Sequence, residues 1–145
     1  MKVIILSLCL ISFSIRADYA PQRLWLMALS ADKIVFGEIT DLRENDYTLK
    51  ISASATNDIG TIKINRFKDW PCATRWAKYE KGQMVIVFLE KRENAYHIMS
   101  GDGEGEIEVK NNTVMIEGQI MDCEVSNIKS GLKTNDFIKA IIYIR

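Results

Sequence analysis

The sequence predicts a mainly β protein whose strands close into one small barrel. Short segments that alternate apolar and polar residues recur along the chain and are separated by turn residues, which is typical of antiparallel strands with one solvated face. One run, residues 84–89 (MVIVFL), is apolar throughout and predicts a strand buried on both faces. Repeats, linkers and low-complexity tracts are absent from the sequence, which favours a single domain.

The first 17 residues have the pattern of a secretory signal peptide. Lys2 precedes an apolar run at residues 3–15 that is short for a bilayer span, and cleavage after Ala17 leaves residues 18–145 as the domain. A buried N-terminal strand or a single membrane anchor is the alternative for the same run. The signal predicts a secreted or periplasmic protein, with no stable membrane insertion after the signal is removed.

The charge balance argues against a nucleic-acid-binding protein. The signal contains Lys2 and Arg16, so its removal takes the basic residues from 19 to 17 against 19 acidic residues, a mature net charge of about −2. Nucleic-acid-binding domains concentrate positive charge instead. We therefore expect no nucleic-acid partner.

The mature part contains two cysteines, Cys72 and Cys123. An exported chain meets an oxidising environment in which such a pair tends to form a disulfide, so the sequence predicts a bridge between them. Closing this loop of roughly fifty residues stabilises the fold by about 4 kcal/mol in the chain-entropy model. Two separate buried thiols are the alternative. With one histidine and no closely spaced cysteine pair, the sequence indicates no metal site, and we expect no cofactor.

The N-terminal half predicts a short helix followed by a three-stranded antiparallel meander. Residues 21–30 have helical apolar spacing with Pro21 near the first turn. Strands are predicted at 33–39, 47–53 and 61–65, with turns at 45–46 and 57–60. The third strand leads into a segment that contains Trp70, Cys72 and Trp76, for which a helix is expected.

The C-terminal half predicts two hairpins and a closing helix. Residues 84–89 turn through Glu93 and Asn94 into a strand at 95–99, and an acidic glycine loop follows at 101–106. Alternation then resumes on both sides of the turn-forming pair Asn111 and Asn112. A helix is expected from Thr134 or Asn135 to the C-terminus. This order of elements favours a small closed Greek-key barrel of the OB kind.

Part of the chain resembles a known family of barrels. Residues 30–39 (SADKIVFGEI), the strand pairs that follow, and residues 79–83 (YEKGQ) leading into 85–89 are similar to the barrel of tissue-inhibitor-of-metalloproteinase and netrin-like modules. The resemblance covers about residues 30–120 and implies a protease inhibitor. In the animal family, inhibition depends on an N-terminal cysteine, and none is close to Asp18 here. In that family the amine and carbonyl groups of this cysteine reach the zinc ion of the protease, so this inhibitory mechanism is not expected for the present chain.

The mature chain as a whole resembles small exported bacterial proteins of unknown activity that have the same barrel. The shared positions are the CAxRxxxYxxGQ pattern at residues 72–83, the glycine and glutamate positions Gly103, Gly105 and Glu106, and the DFIxAI pattern at residues 136–141.

Four residues before the apolar strand are the predicted binding residues: Trp70, Arg75, Trp76 and Tyr79. Aromatic and arginine side chains are enriched at binding sites because they supply contact area and fixed geometry. The alternative is that Trp76 and Tyr79 cover one end of the barrel core.

The acidic loop carries three carboxylates, Asp102, Glu104 and Glu106, which could ligate a hard cation such as calcium. Their spacing does not match an EF-hand, and a solvated turn between strands is the favoured interpretation. A thiol–imidazole pair formed by Cys72 and His97 is disfavoured because the cysteine is expected to be oxidised.

No paired acid–base set, nucleophile motif or phosphate-binding loop occurs in the sequence. The favoured function is therefore a non-enzymatic exported binding module that contacts a protein or another envelope component. The first alternative is a protease inhibitor that uses an extended loop. The second is a small hydrolase built from His97, Glu104 and Glu106.

Overall fold

The structure is a computed structural model that describes residues 22–70, 75, 77–99, 103–115, 132–133 and 138–139. The predicted signal at residues 1–17, both cysteines of the predicted disulfide (Cys72 and Cys123), Trp76 and Asp102 lie outside the described residues. The elements are α1 (Leu24–Ser30), β1 (Lys33–Leu42), β2 (Asp46–Ser54), β3 (Thr61–Asn65), β4 (Met84–Arg92), β5 (Ala95–Ile98), a 3-10 turn (Gly103–Gly105), β6 (Glu106–Lys110), β7 (Thr113–Met115) and β8 (Leu132–Lys133).

Five strands form a closed barrel in the order β1-β2-β3-β5-β4, with β4 pairing back onto β1. The predicted meander is confirmed, because β1, β2 and β3 pair antiparallel in sequence. The β4–β5 hairpin is also confirmed, and its turn is possible because Glu93 adopts a left-handed conformation (φ 55°). Ring closure depends on a short parallel pairing of β3 with β5, in which Ile64 faces Tyr96 and Asn65 faces His97. The closed five-stranded barrel is compatible with an OB-like fold.

β4 is the central strand of the sheet, as its apolar run predicts. One edge pairs with β1 from Met84 to Leu89. The opposite edge is shared, since β6 pairs with residues 84–87 and β5 with residues 89–92. A strand with neighbours on both edges and side chains packed on both faces has no solvated side, which explains its uninterrupted apolar sequence.

Two apolar clusters lie on opposite faces of β4. Val85, Val87 and Leu89 point into the barrel, where they meet apolar residues from the other four strands of the ring. Ile86 and Phe88 point outward into a second cluster. The outer cluster is covered by the buried face of α1 (Leu24, Met27, Ala28), by Ile107 and Val109 of β6 and by Val114 of β7.

The pairing of β1 with β2 is irregular at two places, and such irregularities bend a strand and increase its twist. The register shifts between Phe36 and Gly37 and again between Ile39 and Asp41. A Cβ atom at position 37 would lie 2.1 Å from the backbone oxygen of Lys50. Glycine at this position therefore permits an approach of the two backbones that no other residue allows.

The expectations for helices are met in part. The N-terminal helix is confirmed as α1, although it begins three residues later than predicted. Between β3 and β4 no described residue is helical, and residues 71–74 and 76 of that connection lie outside the described set. Of the expected C-terminal helix, Ile138 and Lys139 are described and helical, and Ile138 packs against the outer cluster. β8, which pairs antiparallel with β7, has no counterpart in the sequence prediction.

Within the described part of the chain, the helices do not combine the length and apolar character that a membrane-crossing helix requires.

Candidate binding site

Of the predicted binding residues, the structure describes Trp70, Arg75 and Tyr79, which belong to the β3–β4 connection (residues 66–83). Trp70 is on the surface and 40% exposed. Arg75 and Tyr79 instead turn inward, and Tyr79 packs against the barrel core. Tyr79 therefore lies where the alternative interpretation puts it, against the barrel core. A binding role for the four residues stays a prediction.

The inward-facing groups converge on the carboxylate of Glu106, the first residue of β6. Tyr47 donates its hydroxyl hydrogen to Oε1 at 2.7 Å. Arg75 Nε and the Tyr79 hydroxyl both donate to Oε2, each at 2.8 Å. The side chains of Glu106 and Arg75 are 1% and 5% exposed, so the ion pair lies in the protein interior. A buried charge pair is tolerated only when its remaining donors and acceptors are also satisfied.

That condition is met for Arg75 by a chain of further hydrogen bonds. Its Nη1 donates to the backbone oxygen of Ala77, and its Nη2 donates to Oε1 of Gln83 at 3.1 Å. Gln83 in turn donates to Glu108 at 2.9 Å, which also pairs with Lys110. We call the connected set Tyr47, Arg75, Tyr79, Gln83, Glu106 and Glu108 the Glu106 network.

Glu106 reaches its partners because the preceding backbone lies very close to β5. A Cβ atom at Gly105 would lie 1.8 Å from the backbone oxygen of Met99. Only glycine allows the backbones at positions 99 and 105 to come this close, just before β6 begins. Tyr47 comes from β2 and Tyr79 from the connection, and their rings are 5.5 Å apart. One glycine and two tyrosines far apart in sequence thus define one site.

Burial shapes the ionisation of the two tyrosines. Desolvation raises the pKa of Tyr47 well above its ordinary value of 10.0, and the adjacent Glu106 carboxylate raises it further. Desolvation and Glu106 raise the pKa of Tyr79 in the same direction. For Glu108, burial pushes the pKa up, but hydrogen bonds from Lys110 and Gln83 outweigh burial and leave its pKa below the ordinary value. Both tyrosines therefore remain neutral hydrogen-bond donors to Glu106 at physiological pH.

An open cleft of about 430 Å³ lies on the outer side of this network. We call it the Arg66 cleft; its lining residues are Glu44, Arg66, Phe67, Lys68, Asp69, Arg75, Ala77, Lys78 and Tyr79. Trp70 directly follows the lining residue Asp69 in the chain. The cleft wall is ordered by hydrogen bonds, since the Phe67 N–H donates to the Tyr79 hydroxyl at 2.9 Å and the Arg75 N–H donates to Asp69 Oδ1 at 2.9 Å.

Arg66 is the fixed cation of the cleft. Its Nη1 donates to the backbone oxygens of Arg43 and Glu44 at 2.7 and 3.1 Å. Its guanidinium carbon lies 4.3 Å from the centre of the Tyr79 ring, and that of Arg75 lies 3.7 Å from the same centre. Such cation–π contacts hold a guanidinium in one orientation.

The two glutamates of the acidic loop are buried, whereas the composition of the loop favours a solvated turn. As whole residues, Glu104 and Glu106 are 2% and 3% exposed, so the expectation of a solvated turn is wrong for both. Glu106 is committed to Arg75 and two tyrosines rather than to a cation. Among the described residues, no group of three or more metal-ligating side chains is close enough to hold an ion.

His97 lies on β5, where it meets the side-chain amide nitrogen of Asn65 at 3.2 Å. This contact joins the two strands whose parallel pairing closes the ring. Cys72, the partner considered for His97 in a thiol–imidazole pair, lies outside the described residues.

Sequence reasoning missed Tyr47, Gln83 and Glu108 as parts of the site, and it considered Glu106 only as a cation ligand or a hydrolase residue. A signal existed: Glu106 and Glu108 alternate with Ile107 and Val109, so the two carboxylates share one face of the strand. Nothing in the local pattern shows that the β3–β4 connection covers this face.

Comparison of the chain with models of protein families gives no match, and comparison with curated proteins gives no significantly similar sequence. The function is therefore inferred from the geometry of the site.

Proposed function

We propose that this protein is an exported, non-enzymatic binding module that contacts a partner protein through the Arg66 cleft and the neighbouring Trp70. The proposal includes secretion or residence in the periplasm, as the N-terminal sequence predicts. The observation that carries it is a polar cleft whose wall is fixed from behind by the buried Glu106 network, with the exposed Trp70 directly following the lining residue Asp69 in the chain. Aromatic and arginine residues on a preorganised surface are the usual anchors of protein interfaces.

The state of Glu106 supports a binding role over catalysis. Both of its oxygens accept hydrogen bonds from fixed donors, and its charge is balanced by Arg75. A general base requires a carboxylate that can reach a substrate proton. Glu106 is instead used to hold the β3–β4 connection against the barrel, which argues against the hydrolase alternative.

A comparison of two tryptophan variants tests the binding site. Trp70 and Trp25 are 40% and 41% exposed but lie on different surfaces, the β3–β4 connection and α1. The tagged exported protein is cross-linked in the cells that produce it, and captured proteins are quantified by mass spectrometry. We expect Trp70→Ser to reduce capture of a specific partner by about tenfold or more, because anchor residues at interface centres dominate binding energy. Trp25→Ser is the matched control and leaves capture unchanged.

Equal capture by the wild type and both variants would contradict the assignment of the site. So would a loss of capture that occurs only with Trp25→Ser. Circular dichroism of each variant establishes that the comparison concerns folded proteins.

The second candidate is a protease inhibitor with the barrel of the tissue-inhibitor-of-metalloproteinase and netrin-like modules. A closed five-stranded barrel is the architecture that this resemblance implies, and the described strand order is compatible with it. Titration of the mature protein into a panel of proteases distinguishes the two candidates. Stoichiometric loss of one protease's activity favours the inhibitor, whereas a panel without inhibition favours the general binding module.

A further inference from the structure

We infer that the Arg66 cleft recognises an acidic peptide segment of the partner, with Arg66 as the residue that selects a carboxylate side chain. This inference deepens the proposed function and depends on it.

The guanidinium of Arg66 has donor capacity beyond what the protein uses. It carries five N–H donors. Nη1 binds two backbone oxygens, whereas Nε is enclosed and has no acceptor among the described residues. Within the same part of the chain, no carboxylate forms an ion pair with Arg66. The two N–H groups of Nη2 therefore remain for a ligand, and a guanidinium donates its strongest hydrogen bonds to an anionic acceptor such as a carboxylate.

The other charges of the cleft favour an anionic ligand. Lys68 and Lys78 are exposed in the lining and make no ion pair within the described segments, whereas the charge of Arg75 is balanced by Glu106. Of the two acidic lining residues, Asp69 accepts the backbone N–H of Arg75. Three cations thus face the cleft against two carboxylates, one of which is already hydrogen bonded.

The same arrangement favours a peptide over a polyanion such as nucleic acid. Glu44 and Asp69 are interleaved with the cations and repel a continuous row of phosphates. Isolated carboxylates spaced along a peptide avoid them. Phe67 in the lining and the adjacent Trp70 supply apolar contact area for flanking aromatic or aliphatic side chains. The ligand is therefore an acidic residue next to apolar residues in an exposed segment.

Fluorescence anisotropy with labelled synthetic peptides tests this inference on the mature protein. The probe set is a library of peptides that place Glu or Asp beside Trp, Phe or Leu, together with matched peptides in which Glu and Asp are replaced by Gln and Asn. We expect members of the acidic set to bind and their amide counterparts to bind at least about tenfold more weakly, because hydrogen bonds to charged groups are the strongest of their kind. Affinity should also fall as salt is raised.

Three protein variants locate the contact. Arg66→Gln should weaken binding of the acidic peptide by about tenfold or more. Because Arg66 also stacks on Tyr79, the double variant Lys68→Gln/Lys78→Gln provides a second measurement at exposed positions, with a smaller loss and a reduced salt dependence. Lys50→Gln, an exposed residue of β2 outside the cleft, is the control and should stay within about twofold of the wild type.

Equal binding of acidic and amide peptides, or an unchanged affinity in both cleft variants, would overturn the inference. Tighter binding of an oligonucleotide than of any acidic peptide would also overturn it. The two proposals can fail separately. If Trp70→Ser abolishes partner capture but Arg66→Gln does not change it, the binding module is supported and only the acidic ligand is excluded.

Discussion

At the scale of single residues, Glu106 joins three parts of the described chain: its own strand β6, β2 and the β3–β4 connection. Its carboxylate receives hydrogen bonds from β2 through Tyr47 and from the β3–β4 connection through Arg75 and Tyr79. Taking a carboxylate and a guanidinium out of water costs several kcal/mol for each ion. The cost is offset only while every partner is present, so loss of one partner leaves an uncompensated charge in the interior.

Glu106→Gln should lower the free energy of unfolding by about 3–5 kcal/mol, because Arg75 then remains buried without its counter-ion. Urea unfolding followed by circular dichroism measures the change. Glu38→Gln, the same substitution at an exposed position of β1, is the control and should stay within about 0.5 kcal/mol of the wild type. If the two variants cost the same, the Glu106 network is not a stabilising arrangement.

The buried tyrosines predict a loss of stability at alkaline pH. Tyr47 and Tyr79 have folded-state pKa values raised above the ordinary value of 10.0, so both folded and unfolded states are protonated below that pH and the stabilisation is fully present. Above pH 10 the unfolded chain ionises first, and the free energy of unfolding falls by about 1.4 kcal/mol per pH unit for each tyrosine.

Urea unfolding at a series of pH values checks this slope, and Tyr47→Phe should reduce it by the share of one tyrosine. Tyrosinate absorbance provides an independent measurement. Reversible ionisation of both Tyr47 and Tyr79 near pH 10 in the folded protein would contradict the described burial.

At the scale of elements, the β3–β4 connection is positioned by side chains rather than by regular secondary structure in its described residues. Arg66 joins the connection to the β1–β2 turn, and Arg75 joins it to β6. A hydrogen bond from the Phe67 N–H to the Tyr79 hydroxyl links two parts of the connection itself. This explains how a segment without a described helix can form one wall of a cleft. The strands beneath it are in turn shaped by the irregular β1–β2 pairing.

Gly37→Ala tests the importance of that irregularity. In an ordinary strand this substitution would stabilise the protein by about 0.4–1 kcal/mol, because alanine loses less backbone entropy on folding. Here the added Cβ meets the Lys50 backbone oxygen at 2.1 Å, so we expect a destabilisation of about 1–3 kcal/mol instead. Ser52→Ala at an exposed position of β2 is the control. Thermal or urea unfolding gives the sign, and a stabilised Gly37→Ala variant would refute the close approach.

At the scale of the whole molecule, the fold is a closed five-stranded barrel with an outer apolar layer on one side of β4. Each apolar cluster uses alternate residues of the same strand, so β4 belongs to both. The Arg66 cleft lies against the Glu106 network, whose Tyr47 and Tyr79 also pack in the inner apolar cluster. The shape of the Arg66 cleft therefore depends on the buried polar contacts of the Glu106 network.

Local patterns in the sequence determined the meander, the fully buried β4, its hairpin with β5 and the left-handed turn at Asn111 and Asn112 (φ 50° and 58°). They could do so because strand alternation and turn chemistry are expressed within a few neighbouring residues. The same patterns gave Arg75 and Tyr79 as candidate site residues, but not the partners that fix them.

Only the tertiary structure decided that β3 pairs in parallel with β5, that Glu106 is buried, and that Arg66 stands in a cleft beside Tyr79. These features join residues up to 59 positions apart, as Tyr47 and Glu106 are. Whether a carboxylate at a strand end meets water or a guanidinium depends on which distant segment covers it, and that information is absent from the local alternation of residues. The sequence by itself determined most strands of this protein, and long-range contacts of Glu106 with β2 and the β3–β4 connection decided its site.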